Sequence, residues 1–310
     1  MCNKSGIRND FNYNRQEDFL IHIMIRLHII LLFFVLVLLA ACGRNSVTLP
    51  TITDERDGNY LYGKFVWHDL ITHDVAVARD FYRELLGWEF EGRGGDDAPY
   101  LTAVFNDRPL AGIVKVDRLE ENVNESRWLS YISVPDVDNA AGYILNNSGM
   151  IFKAPADYDD RGRLAIVGDE QGAVFGIIMA NGGDPVDIDP VRNTWLWNEL
   201  ITKDTEKAKD FYSGLAGYET KSAPHDTTTN YIYLSREKKL RAGITEVPWE
   251  NVNPNWLPYI MVDDIGAAVK RAAALGAKII IAPDAQVREG SVAIVADPSG
   301  AVFGLQKWPL

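Results

Sequence analysis

Residues 65–89 read FVWHDLITHDVAVARDFYRELLGWE, and residues 195–219 read WLWNELITKDTEKAKDFYSGLAGYE. About half of the aligned positions are identical, among them Trp67/Trp197, Leu70/Leu200, Thr72/Thr202, Asp74/Asp204, Phe81/Phe211, Tyr82/Tyr212 and Gly87/Gly217. Further along, Trp128-Leu129-x-Tyr131-Ile132 returns as Trp256-Leu257-x-Tyr259-Ile260. Asp169-x-x-Gly172-Ala173-Val174-Phe175-Gly176 returns as Asp297-x-x-Gly300-Ala301-Val302-Phe303-Gly304. The second half of the chain therefore repeats the first, from about Phe65–Met179 to about Trp195–Lys307. A unit this long is a domain in its own right and not a solenoid repeat.

The periodicities inside a unit place its elements. Phe65–Ile71 is a short apolar run with alternation, as in a strand. Asp74 stands where a helix N-cap belongs, Val77, Ala78, Phe81, Tyr82 and Leu85 recur at helical spacing, and Gly87 follows as a stop. Tyr100–Phe105 and Leu110–Val116 read as strands joined across Asn106-Asp107, Trp128–Val134 as a strand, and Val137–Asn146 as a helix ending before Gly149. Arg163–Val167 and Ala173–Met179 complete the unit as strands. The 181–193 stretch, with two Gly, two Pro and three Asp and no periodicity, reads as a linker between domains 60–180 and 194–310.

The first forty residues read differently. Ile29–Leu39 is an unbroken apolar run preceded by Arg26 and followed by Leu39-Ala40-Ala41-Cys42-Gly43, which resembles a bacterial lipobox. The run is short of the roughly 20 residues a spanning helix needs. The expectation is a signal peptide over 1–41 cut before Cys42, with residues 42–59 as a lipidated Cys and flexible stalk, and a cell-envelope location facing periplasm or exterior. The alternative is an uncleaved single-span anchor. Met24-Ile25-Arg26 makes an ordinary signal-peptide start, so residues 1–23 read as an upstream mis-start. Cys2 and Cys42 are the two cysteines, so the cut chain has no intrachain disulfide and must hold by core packing. The net charge is −12, with 31 basic against 43 acidic residues, which argues against a nucleic-acid partner.

The pattern apolar strand, Thr-x-Asp, six residues, Phe-Tyr, two residues, Leu-x-Gly, together with the Asp-x-x-Gly-Ala-Val-Phe-Gly ending, resembles the vicinal oxygen chelate superfamily. That superfamily includes glyoxalase I, extradiol dioxygenases and bleomycin-resistance proteins. The two-domain "hydroxylase-like" glyoxalase relatives, with Trp-x-[Asp/Glu]-Leu-x-Thr on the first strand, are the nearest in pattern. The resemblance implies an α+β fold: two tandem domains, each of two βαβββ units whose mixed sheet curls into a ligand cup. It also implies a divalent metal held by His, Gln or Glu on first and closing strands. Carried onto this chain, those ligand positions hold Trp67, Leu129, Gly176, Trp197, Leu257 and Gly304, and none of these side chains ligates a metal. No metal or other cofactor is therefore expected. His68 falls on the opposite strand face, and His68, His73 and His225 each read as surface histidines.

Asp69 and Glu199 lie two residues beyond the tryptophans and share their face. In an apolar cup either is a candidate general base, or a structural acid bonded to its neighbours. Trp67, Tyr131, Trp197 and Tyr259 share the inward phase, as a site for a planar organic ligand or as core filling the cup. Three functions follow: a metal-free binding lipoprotein, a lyase, isomerase or oxygenase using Asp69 or Glu199, and an envelope interaction module without a small ligand.

Overall fold

In the computed structural model, residues 48–92, 95, 98–116, 126–223, 231–247 and 252–308 are described. The expected signal peptide, Cys42 and His225 lie outside them. The first half runs β1 (Phe65–Thr72), α1 (Val75–Leu86), β2 (Glu89–Glu91), β3 (Tyr100–Phe105), β4 (Arg108–Lys115), β5 (Arg127–Ser133), α2 (Val137–Asn146), β6 (Met150–Tyr158), β7 (Gly162–Gly168) and β8 (Val174–Ala180). The second half repeats it: β9 (Trp195–Thr202), α3 (Thr205–Ala216), β10 (Glu219–Ser222), β11 (Ile232–Arg236), β12 (Lys239–Glu246), β13 (Asn255–Val262), α4 (Ile265–Ala274), β14 (Lys278–Ile281), β15 (Val292–Ala296) and β16 (Val302–Lys307). Each half is thus βαβββ twice. The sequence reading lacked β2 and β6, because a three-residue strand and a strand with little burial leave no clear alternation.

Each half makes one eight-stranded mixed sheet, ordered β2-β3-β4-β1-β5-β8-β7-β6 and β10-β11-β12-β9-β13-β16-β15-β14. The first strands of the two units, β1 and β5, pair antiparallel at the centre, and each is flanked by the last strand of its own unit in parallel. That arrangement brings residues from both units onto one concave face. All four described helices begin on an aspartate whose carboxylate accepts a first-turn N–H: Asp74 from Val77, Asp136 from Asn139, Asp204 from Lys207 and Asp264 from Ala267. Gly87 and Gly217 close α1 and α3 in the left-handed conformation that glycine adopts without strain.

The two halves share their core. One apolar cluster packs α2 residues such as Val137 and Ile144 with Phe211 and Tyr212 of α3. The other joins Ala78, Phe81 and Tyr82 of α1 to Ala272 of α4 and Phe303. Within these clusters two hydrogen-bond chains run between the halves. Trp128 Nε1–H donates to the Tyr82 hydroxyl at 2.9 Å, and Tyr82 donates to Asp297 Oδ2 at 2.9 Å. In return Trp256 donates to Tyr212 at 2.8 Å, and Tyr212 to Asp169 Oδ2 at 3.0 Å. The other oxygen of each aspartate accepts backbone N–H groups of its own turn, from Gln171 and Ala173 or from Ser299 and Ala301. Burial raises all four of these acids: Tyr82 and Tyr212 well above the usual phenol range, and Asp169 and Asp297 above the usual carboxylate range.

His68 is buried at the same interface, which corrects its reading as a surface residue. The ring stacks on Trp195 with centroids 4.2 Å apart, and Nε2 lies 3.0 Å from Asn198 Oδ1. Its position on the sheet face opposite Trp67 stands, and this is the face covered by the other half. Burial lowers its pKa from 6.5 to about 4. The linker is fixed too: Asp184 accepts from Leu61 N–H and the Ser133 hydroxyl, and Asp187 pairs with Lys239 and Arg241. Residues 48–59 are part of the folded body rather than flexible stalk. Ile52 is only 1% exposed, and Gly58 N–H donates to the Gly182 carbonyl. An apolar side chain separated by polar neighbours gives no periodic signal, so this contact is invisible in sequence.

Two predictions follow from the shared core. Tyr82→Phe or Tyr212→Phe leaves a buried indole N–H and a carboxylate oxygen without a partner, at about 1 to 3 kcal/mol each in urea unfolding. Losses below about 0.5 kcal/mol for both would refute a structural role for the chains. For His68, the unfolded ring takes a proton below 6.5 and the folded one only below about 4. Its contribution is therefore complete above pH 6.5 and is lost as pH falls toward 4, by roughly 3 kcal/mol at most. His68→Gln should flatten that part of the stability–pH curve; parallel curves for the two proteins would assign the acid sensitivity elsewhere.

Candidate functional site

Alternation along β1 puts Trp67 and Asp69 on the concave face. Tyr131 stands opposite Trp67 on β5, and Tyr100 reaches the same spot from the start of β3. Trp67 Nε1–H donates to Asp69 Oδ1 at 2.8 Å, and the Tyr100 hydroxyl donates to the same oxygen at 2.7 Å. Arg161, in the turn between β6 and β7, completes the cluster. It donates through Nη2 to the Tyr100 oxygen at 2.6 Å, and Nη1 lies 3.7 Å from Asp69 Oδ2. Its guanidinium also lies 4.9 Å from the Trp67 ring centroid.

Two glycines make room for these rings. A Cβ on Gly112 would lie 1.9 Å from the Tyr100 hydroxyl, and one on Gly176 would lie 2.1 Å from Tyr131 Cδ1. The closing-strand position therefore cannot carry a glutamate while Tyr131 stays in place. The second half repeats the design: Gly243 lies beneath Tyr231 and Gly304 beneath Tyr259, with would-be contacts of 2.0 and 2.1 Å. On its concave face the Tyr259 hydroxyl donates to Glu199 Oε1 at 3.0 Å, and Trp197 Nε1–H donates to the Tyr231 hydroxyl at 2.9 Å. Arg288, in the turn before β15, donates through Nη2 to Glu199 Oε2 and lies 5.2 Å from the Tyr231 ring centroid.

All six aromatic and acidic candidates named from sequence thus belong to these two clusters: Trp67, Asp69 and Tyr131 in one, Trp197, Glu199 and Tyr259 in the other. The sequence reading missed Tyr100 and Tyr231, and it missed both arginines. The tyrosines head equivalent strands at an offset of 131, one more than the first-strand offset. The arginines have no common alignment column: Arg161 aligns with Glu289, and Arg288 with Asp160.

Electrostatics explains the arginines. A buried carboxylate needs a counter-charge and donors. Burial opposes the charge of both guanidiniums, but Tyr100 and Asp69 outweigh it at Arg161, as Glu199 does at Arg288, and both stay above the usual arginine value. Burial also pushes all four cup tyrosines upward, so they remain neutral donors. Among the described residues, no three His, Cys, Asp or Glu side chains converge as a metal site would require.

The two clusters differ in access. Arg161 is 0% exposed as a side chain, and its Nε–H donates to the Pro50 carbonyl at 2.6 Å, so the chain's own amino-terminal segment lies against it. Arg288 is 31% exposed, and Trp197 is half-buried where Trp67 is enclosed.

Comparison with known proteins bears on the fold and its kinship. The family model for the Glyoxalase/Bleomycin resistance protein/Dioxygenase superfamily matches residues 191–305. The Mycobacterium tuberculosis protein called "Putative glyoxylase CFP32" is 30% identical over 250 residues, 80% of this chain and 96% of that protein. The anthracycline biosynthesis protein DnrV of Streptomyces peucetius is 27% identical over 260 residues, 78% of this chain and 92% of the relative. Among solved structures, the Mn(II)-bound glyoxalase from Novosphingobium aromaticivorans superposes with a TM-score of 0.55 at 15% identity, covering 79% of this chain and 82% of that one. A homoprotocatechuate 2,3-dioxygenase variant from B. fuscum also gives 0.55, at 11% identity, covering 82% and 73%.

Proposed function

The chain belongs to the glyoxalase/bleomycin resistance protein/dioxygenase superfamily, and from that membership we propose that it binds a small planar organic ligand in its second cup without the family's metal. The observation that carries this reading is the access to Trp197 and Arg288 above a cluster whose first-half counterpart is enclosed. Aromatic walls with a few fixed polar groups suit a flat organic molecule.

A divalent cation does not fit the residues present. The carboxylate of each cup faces a guanidinium, and a cation-filled site repels a second cation. Ring atoms of Tyr131 and Tyr259 occupy the space above the closing-strand glycines. The general-base reading finds little support at Asp69, whose Oδ1 already accepts two hydrogen bonds in an enclosed cluster. Glu199 is likewise engaged by Tyr259 and Arg288.

Calorimetric titration with planar aromatic compounds tests the proposal. Native protein should bind one class saturably, with equal affinity in the presence of a chelator or of added Mn(II), and Trp197→Ala should weaken it about tenfold or more. Loss of binding in chelator would return the protein to the metal-dependent members.

We further propose that Cys42 carries a lipid tethering the domains to the outside of a bacterial membrane, on the strength of Leu39-Ala40-Ala41-Cys42 after an apolar run. Labelled palmitate should enter the full chain in a bacterial host and be absent from Cys42→Ala. Equal labelling of the two would exclude that cysteine.

A further inference from the structure

In the first cup the arginine meets a carbonyl of the chain's own backbone. Its guanidinium spends Nε–H on a backbone carbonyl, that of Pro50, 111 residues away in sequence. Ile52 and Thr53 beside that contact are buried, and so are Trp67, Asp69, Tyr100 and Arg161 of the cluster. What meets the guanidinium there is one neutral oxygen acceptor, and the guanidinium itself lies over the Trp67 and Tyr100 rings.

The second cup has an acid at the same place, an equivalent pair of tyrosines, a tryptophan and an arginine, and among the described residues no such segment reaches its guanidinium. The residues that precede the second domain run elsewhere: Asp184 is held by Leu61 and Ser133, and Asp187 by Lys64, Lys239 and Arg241. Among the described residues, Glu199 is the acceptor bonded to the Arg288 guanidinium, leaving donors of the planar fork unspent. The backbone reinforces this placement. Arg288 and Glu289 have φ of 45° and 56°, a left-handed conformation that non-glycine residues enter at a cost. In the first half the corresponding turn has positive φ only at Gly162, the counterpart of Gly290.

We propose that the second cup takes one ligand per chain, a planar apolar molecule with a neutral carbonyl oxygen, and that Arg288 receives this oxygen as Arg161 receives the Pro50 carbonyl. The proposal rests on the binding reading above and adds ligand class, stoichiometry and contact. Neutrality of the oxygen follows from Glu199: the ion pair beneath the ligand is already balanced, so an added carboxylate would meet a like charge at the same guanidinium.

Three probes separate the possibilities: 2-acetylnaphthalene, naphthalene and 2-naphthoate, titrated calorimetrically into the full chain. The ketone should bind at one per chain, at least tenfold more tightly than naphthalene, and more tightly than the acid. Arg288→Gln, and the charge-balanced pair Arg288→Gln with Glu199→Gln, should bring the ketone down to the affinity of naphthalene. Deleting residues 48–53 should raise the stoichiometry to two. Equal binding of ketone and hydrocarbon, still sensitive to Trp197→Ala, would overturn the Arg288 assignment while leaving the binding reading intact. Two sites in the full chain, or one after the deletion, would overturn self-occupancy of the first cup. Saturable binding of none of the three would overturn both this proposal and the binding reading on which it rests.

Discussion

The paired chains Trp128–Tyr82–Asp297 and Trp256–Tyr212–Asp169 hold the molecule to its form. Each starts in one domain and ends on an acid at the closing turn of the other. A phenol between an indole donor and a carboxylate acceptor satisfies three buried polar groups at once. Neither half can satisfy them alone: Tyr82 finds its acid only when the second domain is docked, and Tyr212 only when the first is. The interface therefore behaves as core and not as a sliding surface between tandem domains. Since α1 packs with α4 and α2 with α3, the apolar burial enforces the same docking.

That docking fixes what remains for the concave faces. The outward face of each central strand, with His68 and Asn198, is used up by the other domain, so chemistry is left to the alternate residues Trp67, Asp69, Trp197 and Glu199. There the exchange of side-chain volume is direct. A glycine in the closing strand and a tyrosine beside it fill the same space that a longer residue in the closing strand and a smaller partner would fill. The choice is made identically in both halves, and it directs tyrosine hydroxyls onto the acids, where donors are needed most.

Much of this was legible before any coordinates. The repeat, the Asp caps, the Gly stops and the alternation of the first strands are local signals, each tied to one backbone demand. Trp67, Asp69, Tyr131 and their counterparts share a strand phase, so their convergence followed from the period of two. Tyr82, Trp128 and Asp169 were visible as repeated residues, yet nothing in the sequence said that they bond across domains, because repeats report similarity and not partnership. His68 was misplaced for the same reason: its strand face was right, but what covers that face is a tertiary fact. Residues 48–53 and the two arginines lie still further from sequence reasoning, since a turn or an extended segment carries no period.

The arginines show why alignment of the two halves fails where physics does not. Asp69 and Glu199 occupy the same place in their cups, and burying either ionised demands a cation within a few ångströms. The neighbouring turn supplies one in both halves but from positions out of register, Arg161 before a glycine and Arg288 before Glu289. The second route puts Arg288, Glu289 and Gly290 in succession at positive φ, while in the first Gly162 alone has it. Residue identity at an aligned column was never the constraint. The constraint is a guanidinium at the carboxylate, and once it is met, what distinguishes the cups is what lies beyond it: the Pro50 carbonyl on one side and an accessible Trp197 on the other.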